Sequence, residues 1–234
     1  VATDSCTHSI ELCLRYLQPD QVKIPARTYI SIPFTLMKLN IKWEFLDASW
    51  KEEYVLGGTR IIDGAVSFKR GSYLPDTFKC LSFQYKKMLG LGRGGAILCS
   101  TQNDYDILKA MAHDGRTDDK PWGEQDIQYI GYHYYMTPET AAQGIDLLKT
   151  VKEEEQKIWS SDDYPYLPDM KVFKWIQTNG VNLKVIVGVA DHAKIPDDID
   201  ISLRCVNFAD KLDETEIIKG PYPSKVIEEA NEDL

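Results

Sequence analysis

Histidine and cysteine are scarce in this 234-residue sequence, with four and five copies. Neither is spaced to hold a metal. His8 and His192 have no ligand-type neighbours, and Cys6, Cys13, Cys80, Cys99 and Cys205 include no CxxC pair. An odd number of cysteines cannot close a complete disulfide framework, so they read as reduced, buried small hydrophobes of a cytoplasmic protein. No apolar run is long enough to span a bilayer, and no secretory signal is visible. Basic residues are outnumbered, with Lys and Arg at 27 against 36 Asp and Glu, a formal net charge of −9. That balance, with five dispersed tryptophans and no aromatic-basic stripe, excludes a phosphate-backbone binder. It leaves room for a small anionic ligand held by backbone donors. The chain opens at Val1 rather than Met, so further residues ahead of it are expected.

What is present reads as α/β. Ile10, Leu12, Cys13, Leu14 and Leu17 recur at helical spacing over 5–18, behind the candidate caps Asp4, Ser5 and Thr7. A strand ending at Pro25, a helix over 28–39 and a strand over 41–47 come next. Short strands are expected near Tyr54 and at Arg60–Phe68. Two more, around Cys80 and Ala96, flank a glycine-rich turn. Helices are expected at 101–116 and over the long stretch 137–159, with Pro138 in its first turn. Beyond Tyr164-Pro165 the character changes, and 171–177 and 183–190 read as strands. Alternating strands and helices argue a mostly parallel sheet. The expected division is a large ligand-binding domain over 1–160 and a small, shortened C-terminal α+β portion over 161–234.

The stretch CLSFQYKKMLGLGRGGAILC, residues 80–99, carries the densest signal. Its GLGRGG fits a dinucleotide pattern, but that motif joins a strand to a helix, and here a strand comes after it. The remaining reading is strand, lysine, glycine turn, strand. A lysine beside buried apolar chain loses charge on desolvation and becomes a nucleophile. Taken alone, Lys86 and Lys87 read as solvated turn residues. Asp63 closes the apolar strand RIID, at the strand end where α/β sheets bind ligands. It can equally be a turn former before Gly64. Ser5-Cys6-Thr7 begins a helix, which is a cap and also an anion cradle.

The order of these pieces resembles the DegT/DnrJ family of pyridoxal phosphate (PLP)-dependent sugar aminotransferases, of fold type I. Ser5-Cys6-Thr7-His8-Ser9-Ile10 is similar to that family's Ser-Gly-Thr-x-Ala-Leu, and IPARTYIS at 24–31 to its strand ending in Pro-Ala. Asp63-Gly64-Ala65-Val66 stands for Asp-Ala-Ala-(Gln or His). Ser82-Phe83 through Lys87 to Gly94-Gly95 stands for Ser-Phe-x-x-x-Lys with its later Gly-Gly, a spacing that selects Lys87 over Lys86. GYHYYMTPETAAQG at 131–144 stands for Gly-x-Asn-x-Arg-Met-(Thr or Ser) with its trailing Ala-Ala and Gly. The likeness spans roughly residues 1–150.

The resemblance implies a three-layer PLP-dependent transferase core and a homodimer. It implies Lys87 as the Schiff-base lysine and proton shuttle, Asp63 on the pyridine nitrogen, and Tyr29 stacked on the ring. Cys6, Thr7 and Ser82 would hold the phosphate, with His133 in place of an Asn that reaches a partner's phosphate. The implied reaction moves an amino group from an amino acid, glutamate or glutamine, to a keto acceptor, a nucleotide-linked keto-sugar. Departures stand beside this. Cys6 replaces Gly, Val66 a polar residue, Arg93 a Glu and Tyr135 an Arg. Against the family, the segment before the first helix reads as missing, the 63–82 loop as short and the C-terminal domain as truncated. Two other readings therefore stay open: a shortened relative that binds PLP or a partner without transaminating, and a PLP-dependent sugar dehydratase. The dehydratase relatives carry His where Lys87 stands.

Overall fold

The computed structural model describes residues 1–151 and 157–179. They fall within one compact unit, Val1–Gly180. The elements are β1 (Ala2–Thr3), α1 (Cys6–Leu17), β2 (Gln21–Pro25), α2 (Ser31–Lys38), β3 (Lys42–Leu46), β4 (Tyr54–Val55), β5 (Ile61–Asp63), β6 (Phe78–Ser82), β7 (Gly95–Leu98), α3 (Gln102–Ala112), α4 (Pro138–Leu148) and α5 (Lys171–Asn179).

Helix α1 starts where Ser5, in extended backbone, accepts the His8 N–H on its hydroxyl. It ends at Gln18, whose left-handed φ of 47° lets its N–H return to the Leu14 carbonyl. Its apolar stripe faces the sheet. Ile10, Leu12 and Leu14 are buried with Ile61, Phe78, Ile97 and Leu108 in the main core. Each such side chain contributes roughly 1.5–3 kcal/mol of burial.

The main sheet runs β1-β7-β6-β5-β4. It is mixed rather than mostly parallel: β5 pairs with β6 in parallel, while β1–β7, β6–β7 and β4–β5 are antiparallel. The reason is local. The turn 83–94 carries no helix, and a parallel return needs a crossover that reaches back across the sheet. Strands β2 and β3 form a separate parallel pair. The chain just after β4 joins the two sheets, because Gly57 exchanges both backbone hydrogen bonds with Lys23 of β2, at 2.8 and 2.9 Å.

The C-terminal end of the described chain departs from expectation. Helix α4 stops at Leu148 rather than running on to 159. Residues 171–177, expected as a strand, belong to helix α5. Its Phe173 and Ile176, three apart on one face, are buried against Leu167 and Met37. Residues 161–179 thus pack within the same unit as the sheet. The second expected strand and the rest of the expected C-terminal portion lie outside the described residues.

Candidate active site

The parallel pairing of β5 and β6 sets the carboxyl ends of both strands side by side. Asp63 ends one and Ser82 the other. Ser82 pairs with Gly95 at the start of β7, and the neighbouring Gly94 bridges Ser5. One edge therefore collects Asp63, Ser82, the 83–94 turn and the first turn of α1. This is where open α/β sheets place ligands.

The turn is closed by Phe83 N–H to Gly94 carbonyl and Leu91 N–H to Phe83 carbonyl, both 2.9 Å. Lys87 N–H donates to the Gln84 carbonyl at 2.7 Å. Lys87 and Ser82 line a cleft of about 660 Å³ together with Val66, Phe68, Met88 and Trp159. The Lys87 Nζ lies 4.8 Å from the centroid of the Trp159 ring.

Asp63 is buried. Its Oδ1 accepts the Ala65 N–H at 3.0 Å and its Oδ2 accepts the Tyr54 hydroxyl at 2.8 Å. Burial pushes its carboxyl above the ordinary range, against the Ala65 N–H, the Tyr54 hydroxyl and the charge of Lys87. Burial lowers Lys87, while the charge of Asp63 opposes that shift. Amine and carboxyl thus act on one another across the edge, and each holds the other closer to its charged form. A half-buried lysine of depressed pKa is a competent nucleophile and base.

At the start of α1, the first-turn N–H groups are donors that the helix leaves unused. The approach here is close: a Cβ on Gly95 would stand 2.5 Å from the Cys6 nitrogen. Cys6 is buried, and burial followed by the charge of Asp63 pushes its thiol well up. The Thr7 hydroxyl bonds the Ser31 hydroxyl at 2.9 Å. Ser5 is occupied as the cap. Asp4 would oppose an anion at this point. Burial alone would raise its carboxyl, but the His8 ring at 2.6 Å and Arg93 at 2.5 Å hold it below the ordinary range, and Arg93 supplies the opposing charge.

The structure brings Lys87, Asp63, Ser82 and Cys6 to one edge, with Thr7 beside Cys6. Tyr29 is exposed, an electrostatic neighbour of Tyr164, which in turn feels Asp63 and Cys6. His133 stands apart. It is exposed, pairs with Asp114 at 3.0 Å and meets the Tyr135 hydroxyl at 3.2 Å. Gly64 is explained by its surroundings: a Cβ there would fall 2.8 Å from Lys79 Cε.

Sequence reasoning missed four residues at this edge. Tyr54 was legible in principle, because a hairpin centred on Gly58-Thr59 sets Tyr54 opposite Asp63. Thr28 is reached through Tyr54. Trp159 and Tyr164 carried no sequence signal. They arrive on a returning segment held by Glu52 N–H to Trp159 carbonyl at 2.8 Å and Leu167 N–H to Ala26 carbonyl at 2.9 Å.

These groups fit a PLP molecule. The buried carboxylate suits a ring nitrogen, the depressed lysine an aldehyde, and the helix start with the Gly94-Gly95 approach an anionic phosphate.

Comparison with known proteins agrees with the resemblance carried by the sequence motifs. Residues 70–159 match the profile of the DegT/DnrJ/EryC1/StrS aminotransferase family. No curated protein matches the chain. Among solved structures, AtS13 of Actinomadura melliaura is similar at 20% identity and a TM-score of 0.54, over 64% of this chain and 55% of that one. Sugar aminotransferase CalS13 of Micromonospora echinospora gives 15% identity and 0.54, over 64% and 55%. The PLP form of Spr1654 of Streptococcus pneumoniae, a candidate sugar aminotransferase, gives 18% and 0.51, over 64% and 54%. Likeness at this identity establishes the fold, that of the type I PLP-dependent aminotransferases. The chain spans about half the length of the structures it matches.

Proposed function

We propose that this chain forms the cofactor site of a PLP-dependent aminotransferase, because residues 70–159 match the DegT/DnrJ/EryC1/StrS family on a type I core. The observation that carries the reading is Asp63 at the end of β5 beside Ser82 at the end of β6, with Lys87 on the turn after Ser82 and lining its cleft, and Gly94 of that turn bridged to Ser5 at the start of α1. When bound, PLP supplies an aldehyde that condenses with amines and a ring that accepts electrons from the adjoining carbon.

The chain supplies the rest. Lys87 would hold the aldehyde carbon and, with its nitrogen free, would take and return a proton at the substrate carbon. Asp63 keeps the ring nitrogen protonated. Ser82 and the N–H groups of Cys6 and Thr7 receive the phosphate, with Arg93 cancelling Asp4. Trp159 and Phe68 wall the cleft and exclude water. Tyr29 is the residue proposed to cover the ring. The amino donor is an amino acid, glutamate or glutamine. The acceptor is a keto compound, a nucleotide-linked keto-sugar. A homodimer completes the site, with His133 turned toward the partner's phosphate.

Titration of the purified protein with PLP tests this reading. A new absorbance band that survives dialysis, and bleaches on addition of glutamate or glutamine, supports it. An unchanged cofactor spectrum at every ratio contradicts it. A second reading, cofactor binding without amine transfer, is favoured by Trp159 lying against the Lys87 amine. A band that no amino donor alters would select it. The retained Lys87 speaks against dehydration.

A further inference from the structure

Tyr54 sits between two buried partners. Its hydroxyl donates to Asp63 Oδ2 at 2.8 Å and lies 2.5 Å from Thr28 Oγ1. A phenol has one proton. With that proton on Asp63, the bond to Thr28 must run the other way, from the threonine hydroxyl to the phenol oxygen. The chain of donors is then Thr28 to Tyr54 to Asp63. Thr28 is 1% exposed and Asp63 is 6% exposed, so water does not compete freely for either end.

The arrangement is set by the backbone. The antiparallel register of β4 on β5 puts Tyr54 directly opposite Asp63, and opposed residues project on the same face. Asp63 Oδ1 is taken by the Ala65 N–H. Each carboxylate oxygen therefore carries one fixed donor and keeps a further lone pair for a ligand. A carboxylate this buried is costly to keep charged without donors. Lys87 offers the opposing charge, while Cys6, Cys80 and Tyr164 are neutral groups that feel Asp63.

We infer that Tyr54 is the positioning residue for Asp63: it holds the carboxylate ionised and aimed at the ring nitrogen of the cofactor, and Thr28 fixes the direction of its proton. This rests on the cofactor reading above, but the hydrogen-bond role can be measured without cofactor.

The test uses the wild-type chain with Tyr54→Phe, Thr28→Val and Thr28→Ser, each checked for native circular dichroism. In cofactor-free protein carrying carbon-13 aspartate, the Asp63 carboxyl titrates at higher pH in Y54F, because a donor to the ionised form is gone. PLP affinity falls roughly tenfold or more in Y54F, the loss of one hydrogen bond to a charged group. The pH midpoint of the bound cofactor's band shifts as well. T28V moves each readout the same way by less, and T28S restores wild-type behaviour. A folded Y54F whose Asp63 titration matches wild type overturns the inference. If Y54F fails to fold, T28V decides by the same titration, and a T28V indistinguishable from wild type overturns it. A wild-type chain that takes up no PLP overturns the cofactor reading, while the carboxyl titration still judges Tyr54.

Discussion

Gly95 approaches Ser5 so closely that a Cβ on it would stand 2.4 Å from the Ser5 carbonyl carbon and 2.7 Å from its oxygen. Both atoms are backbone and cannot swing aside. Gly95→Ala must therefore push the start of α1 away from β7. The expected cost is about 1–3 kcal/mol, the range for overpacking, read as a lower melting temperature together with weaker PLP binding. Gly123→Ala is the control. Nothing lies within 4 Å of its Cβ, and it should leave both quantities unchanged.

Asp63→Asn keeps the shape of the side chain and removes its charge. Two results are expected. PLP affinity falls about tenfold or more, because a neutral amide no longer favours a protonated ring nitrogen. The Lys87 amine also titrates lower than in wild type, since the charge of Asp63 supports the ammonium. Amine-specific labelling across a pH series reads the second effect, and an unmoved Lys87 profile would separate the two residues.

Lys79 is a buried lysine on β6, with its Nζ 2.6 Å from Glu53 Oε2 and 2.7 Å from the Ser72 hydroxyl. It also reaches the Ser67 hydroxyl at 3.3 Å, so it ties the 64–77 loop and the chain before β4 to the sheet. Lys79→Met leaves Glu53 without its partner and should cost about 3 kcal/mol, toward the low end for a broken buried pair because Glu53 is partly exposed. Adding Glu53→Gln should recover part of that loss in denaturant unfolding. No recovery would place the cost in packing alone.

Glu11 on α1 is held by Arg15 at 2.7 Å and by Lys38. Burial would raise its carboxyl, but the hydrogen bonds and charges of these two residues carry it below the ordinary range. Its folded value is therefore lower than its unfolded one. The stabilisation is present above the unfolded value, near 4.5, and is lost as pH falls through the folded one. Melting temperature should drop across that acid window in wild type. Glu11→Gln should be less stable at neutral pH and flatter in acid. Parallel curves would contradict the assignment.

Much of this was readable from residue order. The Ile10–Leu14 periodicity gives α1 and its buried face, and Ser82, Lys87 and Gly94-Gly95 give the strand, turn and strand that carry the lysine. Where reading failed, tertiary contacts overrode local pattern. The helix expected over 137–159 stops at Leu148, and Trp159 is held instead by the Glu52 N–H and by Lys87. Val172, Phe173 and Ile176 suit a strand as well as a helix, and packing against Met37 and Leu167 selects the helix. The mostly parallel sheet failed because alternation of element types does not fix strand direction. Short connections do, and both 56–60 and 83–94 reverse the chain. Arg93, a departure from the family's Glu, is the partner of Asp4.

The central claim is that Lys87, rather than the adjacent Lys86, binds the cofactor. Borohydride reduction of the protein loaded with PLP, with peptide mapping of the product, tests it most directly. The account predicts one stable pyridoxyl label on Lys87, lost in Lys87→Ala and kept in Lys86→Ala. A label on Lys86, a label spread over surface lysines, or a label that survives in Lys87→Ala would contradict it.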